Sequence, residues 1–419
     1  MKACSCSISA SSSPGRRPRC RLADLGATVI KIERPDSGDL CRQLYISDLA
    51  LDGDSTLFHT INRNKRSFAA DLKNPQDLAI IKKLIAQADV MIQNFRPGVM
   101  TRIGLDYETV AALNPKLVYG TVTGYGTEGP WIELPGQDLL AQARSGLTWV
   151  SGEADQGPVP VGFSIADLAA GAHLTQGLLA CLVRRGVTGQ GGLVEVNLLE
   201  SILDLQFEAL TTYLNDGGRL PGRSAVNNAN PYLAAPYGIY RTADGHLALA
   251  MGSVLRLGEL LDCPALAAYA DPATWFSQRD EIKRTLADHL QTRPSADWLA
   301  RLVPADYWCA PVMNWRDLMR DEGFKVLDFV QEVRRDNGAT LKTTRCPIRI
   351  DGQRLTAPRG APKVGRTHGN DPPRVQPVAN QQSPPQCPHN QEMTCPTTNL
   401  RTTPTLSASN AATPASCTT

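Results

Sequence analysis

The chain has 419 residues, is 42% hydrophobic and carries a formal net charge of +2. That length provides for a large core divided over two or three domains, and the near balance of charge, with no Lys/Arg block interleaved with aromatics, excludes a nucleic-acid groove or single-strand platform. No apolar run approaches the ~18 residues of a membrane span, none of the six histidines makes a metal-binding pair, and the eleven cysteines lack ligand spacing. The expectation is a soluble cytoplasmic protein with reduced thiols, no membrane or nucleic-acid partner and no metal.

In chain order, residues 1–21 are an atypical N-terminal segment rich in Ser, Cys and Arg, with the composition of a transit peptide but without the apolar core of a secretory signal. Residues 22–214 read as a large α/β domain. Ala27 to Glu33 is a β-branched strand closed by Arg34-Pro35, and Ser67 to Leu72 is another short one. Leu78, Ile81, Leu84, Ile85 and Ala88 recur at helical spacing after Asn74-Pro75, a cap and first-turn pair. Asp89 to Gln93 and Leu117 to Thr123 are further strands. Ala166 to Leu182 is a helix with small residues along it, Leu193 to Asn197 a strand, and Leu198 to Tyr213 a second long helix. Alternation of this kind predicts a largely parallel sheet.

Residues 215–230 are polar and rich in Gly and Asn, as a linker is. A smaller α+β domain follows at 231–330, with strands at Gly238 to Arg241 and His246 to Met251 and helices at Leu255 to Leu261, Ser277 to Gln291 and Ser295 to Leu302. Residues 331–370 return to the large domain. The tail, 371–419, is Pro-, Thr-, Gln-, Asn- and Ser-rich; with almost no large apolar residues it cannot offset the entropy of ordering and reads as disordered.

Asp167 is the most informative residue, a lone carboxylate where the turn Val161 to Ser164 becomes a long helix, with no His or Cys beside it as nucleophile. That placement suits covalent carboxylate chemistry, and equally suits an ordinary helix cap supplied by Ser164 or Asp167. Arg34, Arg96 and Arg102 follow strands, whose C-terminal ends gather on one edge of a parallel sheet. The segment Ile61 to Ser67 adds three cations, Arg63, Lys65 and Arg66, in a pattern suited to a phosphate-rich ligand, while each taken singly suits a solvated surface. Gly120 to Gly126 lacks the spacing of a dinucleotide loop. Asp138, after Gln137, suits a cap or a role in the site.

Together these segments resemble the class III CoA-transferases, the L-carnitine dehydratase/bile acid-inducible group that includes formyl-CoA and carnitine CoA-transferases, with α-methylacyl-CoA racemases as relatives. The matching text includes LADLGATVIKIERPDSGD, NRNKRSFAADLKNP, ADVMIQNFRPGVMTRIGLDYE, NPKLVYGTVTGYGTEGP, GQDLLAQARSGL, VTGQGGLVEVNLLES and CAPVMNW, from about Leu22 to about Gly369. The resemblance implies a Rossmann-like large domain, a smaller α+β domain and an interlocked homodimer. It places Arg34, Ala70, Asp71, Leu72, Lys73, Asn94, Phe95, Arg96 and Arg102 where the family holds CoA, Gln137 and Asp138 in its active-site segment, and Asp167 on its catalytic aspartate. No cofactor is bound permanently; coenzyme A enters as part of the substrate, and the partners are an acyl-CoA and a small carboxylic acid.

Two other readings stay open. The racemases carry Gly-His-Asp where this chain has Gly136-Gln137-Asp138, and glutamine takes up no proton at neutral pH, so transferase chemistry is favoured over isomerisation. The family opens with a strand and a Gly-Pro turn before the LADLGA helix; SISASSSPGRRPRCR stands in that place and reads neither as the strand nor as a leader before it. Its C-terminal acidic helix is likewise replaced by the polar tail. These departures fit a shifted frame or misplaced boundary, and with it a catalytically inert CoA-binding remnant.

Overall fold

The computed structural model describes residues 4–8, 21–44 and 49–365. The tail at 371–419 and most of 1–21 lie outside the described residues. In chain order the first strands are β1 (Cys4–Ile8), β2 (Thr28–Glu33), the short hairpin β3 (Ala50–Leu51) and β4 (Asp54–Ser55), β5 (Lys65–Ala69), β6 (Val90–Gln93), β7 (Val118–Thr123) and β8 (Gly192–Asn197). Six of them form one parallel sheet in the order β5-β2-β1-β6-β7-β8.

Side-chain alternation divides this sheet between two cores. On one face Ile30, Ile32, Met91 and Tyr119 pack with Ile81, Leu84 and Ile85 of the helix Pro75–Ile85. On the other, Val90, Ile92, Val118 and Val122 meet Ala166, Ala170, Leu174 and Leu178 of the helix Ile165–Thr188. Both faces being covered explains the near-continuous apolar strands. The Pro75–Ile85 helix begins as its sequence predicts, with the Asn74 side chain accepting from the Gln76 and Asp77 N–H groups.

The Ile165–Thr188 helix runs antiparallel to the strands. Its Arg185 reaches the Asp89 and Lys116 carbonyls at their N-terminal side, Leu174 and Leu178 lie over Gly120, and Ala166 packs with Val122. By length and composition it is apolar enough to cross a membrane, and its last turns expose Val183 and Val187. The sheet-facing side accounts for the small residues: a Cβ on Gly177 would lie 2.6 Å from Val194.

A third core gathers around the antiparallel strands β9 (Gly238–Arg241), β10 (His246–Leu249) and β11 (Cys309–Pro311), in the order β11-β10-β9. Tyr240, Leu247, Leu257, Leu286 and Trp298 fill it, the last three from the helices Val254–Leu261, Arg279–Leu290 and Ser295–Leu302. The chain then forms the hairpin β12 (Val330–Arg334) and β13 (Thr340–Thr344) and returns to the parallel sheet, where the Ala69 N–H donates to the Gly365 carbonyl.

Four expectations need correction. The N-terminal segment does supply a strand, because Cys4–Ile8 pairs with both β2 and β6; Cys and Ser alternating carry little intrinsic strand preference, so the pairing, not the local sequence, defines it. The stretch from Leu198 to Tyr213 is two helices, Leu198–Asp204 and Phe207–Asn215. At the break the Gln206 side chain takes the Ile202 carbonyl. The strand expected over Ser67 to Leu72 starts two residues earlier, at Lys65. Residues 215–230, read as a linker, are tied down: Arg223 donates to the Ser151 and Gln156 carbonyls and Ser224 is fully buried.

Candidate active site

Parallel pairing brings the residues just beyond β2, β5, β6 and β7 to one edge. Glu33 pairs with Ala69, and Gln93 with Thr121. Arg34, Ala70 and Asn94, each one residue past a strand, therefore share that edge. The antiparallel run of the Ile165–Thr188 helix brings its N-terminal turn, with Asp167, to the same edge.

Asp167 is half-buried in the first turn of its helix, where the macrodipole stabilises a carboxylate. Ser164 occupies the N-cap position but makes no side-chain cap bond. The Asp167 N–H instead donates to Asp138 Oδ1, at 3.0 Å, from a different helix, Asp138–Arg144. Both acids singled out in the sequence thus meet, and the cap is tertiary rather than local. Asp138 is buried, and its Oδ2 accepts from Gln142 Nε2 at 2.7 Å.

Glycines bring Asp138 there. Gly124 follows β7 and Gly136 precedes Gln137, and a Cβ on Gly124 would come within 2.5 Å of the Gly136 Cα. The loop between them is closed by that contact, and Arg144 lies 5.4 Å from the ring centres of both Tyr125 and Trp131. In the 120–126 stretch Gly120 makes room for Leu174 and Leu178 and Gly124 for Gly136, while Gly126, at φ +92°, turns the chain and donates its N–H to Thr123 Oγ1 at 2.9 Å. A cavity of about 300 Å³ opens beside this loop, lined by Thr121, Thr123, Tyr125, Glu195 and Glu200 among others.

The other sequence-derived positions fall into two groups. Arg34, Asp71, Lys73, Arg96, Arg102 and Gln137 are exposed, so the charges at this edge face solvent. Ala70 is buried, and Leu72 and Phe95 pack against the core, which leaves backbone groups as what they offer a ligand. Asp71 shapes its own turn, accepting from the Lys73 N–H at 3.0 Å. Asn94 is half-buried, and both polar atoms of its side chain are buried without a hydrogen-bond partner. Gln93, which sequence reasoning passed over, orders this turn: it donates to Thr121 Oγ1 and accepts from the Phe95 N–H, each at 2.8 Å.

The cationic segment Ile61 to Ser67 does not join the site as a whole. Arg63 is buried against Asp24 at 2.7 Å, and Lys65 donates to the Ile61 carbonyl and Asn62. These residues precede or begin β5, so they lie at the opposite edge of the sheet. Among the described residues no group of His, Cys, Asp and Glu is gathered as metal ligands.

The model of the family described as CoA-transferase family III matches residues 15–368. The chain is similar to the succinate–glutarate CoA-transferase of Agrobacterium fabrum, 31% identical over 356 residues that cover 82% of this chain and 88% of the relative. It is similar also to the acetyl-CoA:oxalate CoA-transferase of Acetobacter aceti, 32% identical over 70% of this chain and 75% of the relative. Among solved structures, a CAIB/BAIF family protein from Brucella suis superposes with a TM-score of 0.74 at 28% identity, covering 86% of this chain and 95% of that one.

Proposed function

The chain belongs to CoA-transferase family III and is a CoA-transferase, and from that premise we propose that it moves CoA from an acyl-CoA thioester to a small carboxylic acid through a covalent aspartyl intermediate on Asp167. The observation that carries this reading is the Asp167 carboxylate at a helix N-terminus on the shared sheet edge, its backbone held by Asp138. In the first half-reaction Asp167 attacks the thioester carbonyl, giving a mixed anhydride and CoA thiolate. The thiolate attacks the aspartyl carbonyl, releasing the donor acid and leaving an aspartyl-CoA thioester. The acceptor carboxylate then attacks that thioester, again expelling thiolate, and attack of the thiolate on the acyl carbonyl frees the new acyl-CoA and Asp167. Each anhydride must be kept from water and its oxyanions met by backbone N–H groups.

CoA is the substrate's carrier and not a resident group. Arg34, Lys73, Arg96 and Arg102 suit its phosphates by charge and exposure, backbone groups of Ala70 to Lys73 suit its adenine, and the unpartnered Asn94 amide is a buried polar group in want of a ligand. Gln137 and Asp138 border the reacting end. The division at 22–214, 231–330 and 331–370 suits one domain holding CoA and a smaller one beside it. The exposed apolar side chains Phe207, Leu214, Leu220, Val183 and Val187 support a dimer of two copies. The Agrobacterium fabrum and Acetobacter aceti relatives are named for dicarboxylic acids, glutarate and oxalate among them, which favours such an acid as acceptor here.

The test is intact mass spectrometry after mixing with succinyl-CoA, with parent and Asp167→Ala side by side. A CoA-sized adduct on the parent, absent from the variant and removed by hydroxylamine, is expected. A parent that turns over with glutarate or oxalate and forms no such adduct, even when quenched early, would rule out the aspartyl route.

A further inference from the structure

Gln142 is one helical turn beyond Asp138 and almost fully buried, at 2% exposure. Its amide nitrogen donates to Asp138 Oδ2 at 2.7 Å and, more weakly, to the Phe163 carbonyl at 3.4 Å. Its amide oxygen accepts from the Val161 N–H at 2.9 Å. Asp138 in turn accepts the Asp167 N–H. One side chain therefore ties the turn that enters the Asp167 helix to the carboxylate that caps that helix.

We propose that Gln142 is a positioning residue for the nucleophile, acting through Asp138 and the Val161 to Phe163 turn to fix where the Asp167 carboxylate points. This rests on Asp167 being the nucleophile. The residue type follows from the bonds it makes. A donor must face a carboxylate while an acceptor faces a backbone N–H, and a carboxamide offers both at once without a charge. A glutamate in this position would keep the acceptor but face Asp138 with a second carboxylate. A hydrocarbon would leave the Val161 N–H and one Asp138 oxygen buried and unpaired. Attack by a carboxylate on a thioester carbonyl depends on alignment, and a displacement of roughly 1 Å costs on the order of a hundredfold in rate. The residues proposed to hold CoA, Arg34, Ala70 to Lys73 and Asn94 to Arg102, are not among the hydrogen-bond partners of Gln142.

The test compares the parent, Gln142→Glu, and the paired change Asp138→Asn with Gln142→Glu, measuring kcat, KM for succinyl-CoA and the rate of hydroxylamine-sensitive adduct formation. The paired change swaps the two groups: the carboxamide now on the capping residue donates across the pair and still accepts from the Asp167 N–H, while the carboxylate one turn later still accepts from the Val161 N–H. For Gln142→Glu, kcat and adduct formation fall roughly tenfold to a hundredfold with KM within about twofold, and the paired variant recovers most of the loss. A Gln142→Glu enzyme at the parent's adduct rate, or a loss that the paired variant leaves uncorrected, overturns the proposal. If Gln142→Glu is insoluble, Gln142→Asn, too short to span both partners, is held to the same kcat and KM criteria. A parent that turns over without any adduct would remove the Asp167 reading itself, an outcome distinct from a parent and Gln142→Glu that form adduct equally fast.

Discussion

At the scale of single residues, the polar groups of the proposed site are placed by contacts that the local sequence does not contain. Asp167 is legible as a lone acid at a helix start, but the local sequence offers only Ser164 or Asp167 itself as the cap. The donor–acceptor pair that forms crosses from residue 167 to residue 138, and no spacing rule reaches that far. Lys283 is a case that sequence did not flag at all. It is fully buried, donates to Ser224 Oγ at 2.9 Å and to the Asn227 carbonyl at 3.2 Å, and burial, reinforced by Arg279, lowers its pKa from 10.5 to about 8 against the pull of Asp280 and Glu153. Between those two values the unfolded lysine holds a proton that the folded one has released, so stability rises with pH across the window, by up to about 1.4 kcal/mol per unit. Below it the cost of the buried charge is constant. Urea unfolding of the parent and Lys283→Met at about pH 7.5 and about pH 9.5 should show the parent gaining on the variant at the higher pH; parallel behaviour would mean that Lys283 does not change its charge on folding.

At the scale of elements, the strong helices and the apolar strands β2, β6 and β7 were readable because periodicity and burial coincide in them. The β12–β13 hairpin was not, since its strands are mostly exposed and turn only the pair Val333 and Leu341 inward. What holds the returning chain is ionic. Arg335, 3% exposed, bridges Asp52 and Asp54 from the turn after β12, Lys363 joins Asp52, and Arg42 spans Asp54 and Glu33. The Ser67 hydroxyl also donates to Glu33. Hydrogen bonds from Arg335, Asn337 and Lys363 hold the Asp52 carboxyl well below its ordinary 3.8. Its contribution is therefore complete above that value and is lost as pH falls through and below it. Replacing Arg335 by Met leaves Asp54 buried beside Glu33 with half its compensation removed, and should cost about 3–5 kcal/mol in urea unfolding. Arg335→Lys should restore only part of this, because an ammonium cannot fork between two carboxylates. A loss under about 1 kcal/mol for the Met variant would show the clasp to be an ordinary surface network.

At the scale of the whole molecule, the sheet order makes an unpromising segment indispensable. Cys4–Ile8 lies between β2 and β6, so its removal would leave two inner strands unpaired and split the sheet in mid-width. A chain lacking residues through Ile8 should give no cooperative thermal transition and should aggregate; a truncated protein melting as the parent does would show that the sheet closes without it. Sequence by itself determined the α/β class, the family and the lone acid, because each of these is written in local pattern or in motifs that recur in order. Tertiary structure alone decided that Cys4–Ile8 is a central strand, that Arg63 and Lys65 face inward at the far edge, that Gly124 meets Gly136, and that Asp138, bonded to Gln142, accepts the Asp167 N–H. Each of these depends on contacts between residues far apart in the chain, where side-chain type fixes what a group can bond to and only the packed chain fixes which partner is there.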